Sequence, residues 1–162
     1  MTIWRTVFVE AEVGIVGLAR GIAGALDVGA ARVAAVADTP DGWPAWVEGH
    51  EVVAEIRPAR GEARMLATLF LFRDPVALGK VDDGAVMQAL ADRLGCAVLL
   101  PDDADTDPFN YLRFRPGSTA DRVSLDPDAL DEYPPRVVVF GPARWPKSQP
   151  SCGGGGPRLT IR

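Results

Sequence analysis

Four aspartates fall within six residues of the run PDDADTDP, residues 101–108. Asp103, Asp105 and Asp107 alternate as the opening ligands of a calcium loop do, a spacing that lets carboxylates converge on a hard cation. The pattern then breaks, with Pro108 where such a loop needs its turn glycine and Phe114 where it needs its closing glutamate. No metal site is therefore expected, and the run reads as a solvated acidic loop kept open by mutual repulsion of Asp102, Asp103, Asp105 and Asp107.

The other chemistry-bearing residues are sparse. His50 is the single histidine, and HEVVA has alanine where the zinc-protease motif needs its second histidine. Any Ser or Cys triad would have to use this one imidazole, yet Cys96 sits in an apolar run and no serine lies in GxSxG. His50 is expected at a strand end, satisfied by Glu48 or Glu51. The four glycines 153–156 have no Gly-Lys-Ser/Thr after them, and no GxGxxG follows the first apolar segment, so no nucleotide cofactor is expected. Alternating carboxylates such as Glu10 and Glu12, or Asp126 and Asp128, share a face if extended and are candidate acid–base pairs. Two distant cysteines make neither a disulfide framework nor a zinc site.

The acidic run lies within the most consistent stretch of the chain, Asp82 to Phe114. Asp82 or Asp83 can cap a helix whose Val86, Met87, Leu90 and Leu94 share one face, and Gly95 stops it. Cys96 to Leu100 is too short for a helix and reads as a buried strand, with NYLRF as the return strand. Upstream, residues 3–11 form a strand with Val7 and Val9 on one face and Phe8 on the other. Gly14 to Asp27 is helical, with Ile15, Leu18, Ala19, Ile22 and Leu26 on one arc and a stripe of Gly14, Gly17, Gly21 and Gly24 beside it, suited to close approach of a neighbouring backbone. Ala31–Ala37 is a short strand, and TPDGWPAWVEG is a loop carrying Trp43 and Trp46. HEVVAEI and ARMLATLFLF make a hairpin, the second arm apolar on both faces and therefore central. RVSLD and RVVVF are strands, with DPDALDEYPP an irregular or single-turn segment between them.

Strand, helix, hairpin, helix, strand is the order of a ferredoxin-like split βαβ unit, here extended by extra strands. The expected fold is α+β: one mainly antiparallel sheet with two helices on one face. A single domain spans residues 1–141, and residues 142–162 form a flexible, Pro/Gly-rich basic tail. An extended segment at Leu159 to Ile161 could add to the sheet only as an edge strand.

The net charge of −5 hides a split. Between Asp82 and Glu132 twelve acidic residues stand against four arginines, whereas Arg136 to Arg162 holds five basic residues and no acid. An acidic body disfavours nucleic acid, whose phosphates need a basic surface, and permits a basic protein partner. No apolar run reaches the roughly 20 residues of a membrane helix, and the N-terminus lacks a signal-peptide pattern, so no membrane association and a cytoplasmic location are expected.

The run LADRLGCAVLLPDDADTDPFNYLRF resembles a recurring pattern in small bacterial immunity proteins that neutralise polymorphic toxins. The resemblance implies a non-catalytic inhibitor that binds a basic toxin domain by surface complementarity. Asp102, Asp103, Asp105 and Asp107 would then present charge, with Phe109, Tyr111, Trp43 and Trp46 as apolar anchors. The alternatives are a small ferredoxin-like enzyme or ligand-binding protein, with a pocket between sheet and helices and His50 or a buried carboxylate as base, and a homo-oligomer joined through an open sheet edge.

Overall fold

A computed structural model describes residues 2–38, 41–72 and 82–142. Ten strands form, in chain order β1 (Thr2–Val9), β2 (Val33–Ala37), β3 (Val52–Pro58), β4 (Arg60–Gly61), β5 (Met65–Leu71), β6 (Val98–Pro101), β7 (Asn110–Phe114), β8 (Asp121–Leu125), β9 (Arg136–Val137) and β10 (Val139–Pro142). Helices α1 (Ile15–Ala25), α2 (Asp83–Leu94) and the single turn α3 (Pro127–Leu130) accompany them. Eight strands make one sheet in the order β10-β8-β7-β6-β1-β5-β3-β2, antiparallel throughout except for the parallel pair β2 and β3. The short strands β4 and β9 pair separately.

The class is thus α+β with a large, mainly antiparallel sheet of eight strands. Its inner strands β6-β1-β5-β3 carry α1 and α2 between them in the chain, and β2, β7, β8 and β10 widen the sheet on both sides. Both arms of the expected hairpin form, and β5 is central, between β1 and β3, as its two apolar faces require.

Period-two alternation divides the core between the two faces. Val7 and Val9 of β1, Ala67 and Leu69 of β5, and Val98 and Leu100 of β6 pack with Leu18 and Ile22 of α1 and Met87 and Leu90 of α2. These side chains fill the middle of the space between sheet and helices, and the grooves found there lie at its margin, beside the start of α1. On the other face Phe8, Leu99, Val123 and Leu125 are covered by the 126–139 segment, including Ala129, Leu130 and Val137. Ala34, Val36 and Val53 are covered by Val47 and Trp43 of the loop before β3.

Local signals explain the helix ends. Asp82 accepts from the Gly84 and Ala85 amides, and Gly95 adopts the left-handed conformation at φ 67°. Of the glycine stripe, only Gly21 and Gly24 meet α2; Gly17 meets Val13 and Gly14 meets nothing. A Cβ on Gly21 would come within 2.7 Å of Leu94 Cδ2, and one on Gly24 within 2.6 Å of Arg93 Nη1, so these two glycines let α2 cross closely over α1. Ile15, placed on the apolar arc by its spacing, is instead exposed beyond the end of the contact. The expected tail from residue 142 onward lies outside the described residues except for Pro142, which closes β10.

Candidate functional site: an acidic end and an aromatic groove

The acidic loop is built by its own carboxylates. Asp102 Oδ1 accepts from the Ala104 amide at 3.2 Å, Asp105 Oδ1 from Asp107 at 3.0 Å, and Asp107 Oδ1 from Phe109 at 2.9 Å. Each is an Asx turn, in which a carboxylate satisfies an amide two residues on. Asn110 ties the loop to the sheet: its Nδ2 donates to Asp105 Oδ2 at 3.0 Å, and its Oδ1 accepts from Ser124 Oγ at 2.7 Å. The loop is therefore shaped by hydrogen bonds, not only held open by repulsion.

Its carboxylates do not all point outward. Asp102 is 6% exposed, with Arg122 Nε 2.7 Å from its Oδ2, so its charge is neutralised inside the protein and is not presented to a partner. Asp103 and Asp107 face solvent. The Asp107 amide and the Asn110 side chain hold the Asp105 carboxyl below its ordinary value.

Neighbouring elements add further acids. Arg5 bonds Asp83 in the first turn of α2, and its Nη1 lies 3.5 Å from Asp103 Oδ2, which sets the start of α2 beside the loop. The Leu125 amide donates to the Phe109 carbonyl at 2.9 Å, which places Asp126 and Asp128, at the start of α3, on the loop's other flank. One end of the molecule thus gathers Asp82, Asp83, Asp103, Asp107, Asp126 and Asp128. Among the described residues no group of three His, Cys, Asp or Glu is arranged to hold a metal ion.

The expected apolar anchors are scattered. Phe109 is half-buried in the loop. Trp43 seals the far end of the sheet, edge-on to Phe70 at 4.8 Å, with Nε1 donating to Glu55 Oε2 at 2.9 Å. Trp46 is 56% exposed and stands against His50 at 5.6 Å. His50 Nδ1 lies 3.3 Å from the Val47 carbonyl, so the expected glutamate partner is replaced by backbone, and Glu51 bonds Arg32 instead.

Tyr111 lines a groove of about 320 Å³ on the face opposite α1 and α2, while Trp43 and Trp46 each line a separate groove of about 300 Å³ near β2 and β3. Phe8, Leu66 and Tyr111 lie along it, and Leu130 and Tyr133–Pro135 flank it, with Arg57 and Glu132 as its charged residues. Phe8 and Tyr111 stack obliquely at 6.0 Å, and burial pushes the Tyr111 phenol up. Tyr133 is 87% exposed at the groove's mouth. Sequence reasoning missed this groove because its flank comes from DEYPP, a segment with no period to place it.

No family model, curated protein or solved structure matches the chain. The reading of the site accordingly rests on its geometry. Glu10, whose carboxyl burial pushes up, has Arg113, Arg115, Glu62 and Asp121 as its charged neighbours. His50 and Cys96 line neither the groove nor the acidic end.

Proposed function

We propose that the chain is a non-catalytic protein-binding module whose acidic end docks on a basic protein surface. The observation that carries this reading is the loop's construction: Asx turns fix its backbone while Asp103 and Asp107 remain exposed beside the first turns of two helices. A pre-shaped charged surface loses little conformational freedom on binding and speeds encounter with a partner of opposite charge. The immunity-protein resemblance gives this module a biological form, an inhibitor seated on the basic cleft of a toxin in the cytoplasm. We read the fold beneath it as an extended split βαβ unit.

The test is capture of partners from native extract with the full chain at low and at moderate salt. A basic protein that is held at low salt and released as salt rises is the expected outcome. Asp103→Asn with Asp107→Asn should then slow its association and flatten the salt dependence, because the long-range field and not the fold is altered. Unchanged association kinetics would remove the loop from the interface.

The Tyr111–Tyr133 groove favours a second reading, a small-ligand site. Its apolar and aromatic lining suits a small molecule with a planar apolar body. Thermal-shift screening with small planar aromatic molecules separates the two readings, since Tyr133→Ala at the groove's mouth would diminish such a shift and leave salt-sensitive protein capture intact.

A further inference from the structure

The eight-stranded sheet ends in two very different edges. β10 is short, its register slips between Val139 and Pro142, Gly141 sits at φ 93°, and a proline closes it. Irregularity and proline of this kind blunt an edge against pairing. β2, with the sequence VAAVA, runs five residues in unbroken register with β3 and carries no proline, bulge or charge.

Its free side can be identified from the ladder. The Glu51 amide donates to the Arg32 carbonyl and the Asp38 amide to the Ile56 carbonyl, at 2.9 and 2.8 Å, so the even-numbered residues of β2 turn their backbone groups toward β3. Alternation turns those of Val33, Ala35 and Ala37 outward. The Val33 amide is taken by the Ala30 carbonyl, whereas Ala35 has no backbone partner beyond the sheet among the described residues. Val33, Ala34, Ala35 and Val36 are only 4–6% exposed, because the edge lies at the floor of a groove of about 300 Å³ between Ile15, Val16 and Ala19 of α1 and Trp46, side chains that must part to admit a second strand. Val16 is 63% exposed and Trp46 56%, and with Ile15 they make up half of the six large apolar side chains exposed among the described residues.

We propose that β2 pairs antiparallel with β2 of a second copy about a two-fold axis through Ala35, joining the two sheets edge to edge. The register follows from charge. With Ala35 opposite itself, Ala37 meets Val33 of the second copy, and Asp38 meets its Arg32. Asp38 already lies 2.9 Å from Arg57, and Arg32 bonds Glu51. The junction then alternates in sign on each side of the axis, Glu51, Arg32, Asp38, Arg57, with no like charges opposed. A shift of two residues in either direction would separate Arg32 from Asp38 of the second copy. The interface is isologous, as a two-fold demands, and Ile15, Val16 and Trp46 of both copies close over the paired strands.

Sedimentation velocity on the full chain over a dilution series tests this. The expected species at high concentration has twice the 17.3 kDa chain mass and dissociates on dilution. Val16→Glu and Trp46→Glu alter exposed side chains and should give monomers with an unchanged far-ultraviolet dichroism spectrum. Arg32→Asp should weaken the dimer by about tenfold, since two cross-strand attractions become repulsions, and adding Asp38→Arg should restore it. A monomer at every concentration, or a dimer that survives both Val16→Glu and Trp46→Glu, overturns the proposal. Salt-sensitive capture by the acidic end is a separate readout, so failure of one does not imply failure of the other.

Discussion

At the scale of single residues, the aspartates of the acidic loop divide into builders and presenters. Asp105 is a builder, and its carboxyl is held below the ordinary aspartate value of 3.8 by the Asp107 amide and Asn110. The folded protein therefore binds fewer protons at this position than the unfolded chain. Its contribution is fully present above the ordinary value and is lost as pH falls through the depressed one. Urea unfolding measured at successively lower pH should show that loss, and Asp105→Asn should flatten the slope in this range. Asn110 has a second claim, being buried and bonded to both Asp105 and Ser124. Asn110→Ala should cost about 1–3 kcal/mol in chemical denaturation, because it strips a partner from a polar site removed from water. An undiminished stability would show that the loop does not need this clamp. Side-chain identity displayed the acidic cluster at once in the sequence, yet which carboxylates turn inward was hidden there. Asp102 is buried only because Arg122, twenty residues on, arrives beside it when β7 and β8 pair.

At the scale of elements, periodicity carried most of the information. The capped α2, the central β5 and the parity of Val7, Phe8 and Val9 all follow from spacing, because each buries a regular face against a regular neighbour. Segments without a period were opaque. The 126–139 segment covers half a sheet face through one helical turn, prolines and a two-residue strand, and nothing in DPDALDEYPP announces that role. It is fastened where β9 pairs with β4 at the tip of the β3–β5 hairpin. Gly61 permits this contact: it has φ 82°, and a Cβ there would come within 2.2 Å of the Val137 carbonyl oxygen. Gly61→Ala should destabilise the protein by more than about 1 kcal/mol, since strain and a backbone clash act together. Amide exchange should locate the loss at Arg60 and Glu62, whose amides donate across the junction to the Pro135 and Val137 carbonyls, each at 2.9 Å. Protection there equal to the native protein's would mean that the segment holds without the close approach.

At the scale of the whole molecule, the charge split seen in the sequence acquires a place. Acids from α2, the loop and α3 meet at one end because the β6–β7 connection and the end of β8 share one rim of the sheet, where Arg5 also holds the start of α2. The open edge β2 lies at the far side of the sheet, four strands from β6, so the two surfaces can be occupied together without interference. The sequence suggested an open edge without showing which strand would form it, because edge status is a property of the assembled order and not of any one strand.

The position of β1 has a consequence for how the protein reaches this state. Its two neighbours in the sheet are β5, which begins at Met65, and β6, which begins at Val98. During synthesis Val7, Phe8 and Val9 emerge well before either, and neither flank can be closed by local structure. Chains whose central pairings span such separations search slowly, because the entropy of closing long loops is spent before the contacts form. In that interval an apolar strand lies open on both sides to other chains. The protein is thus open to misassembly while it is being made, and a chaperone that shields the first strand until residue 100 has appeared should raise its yield.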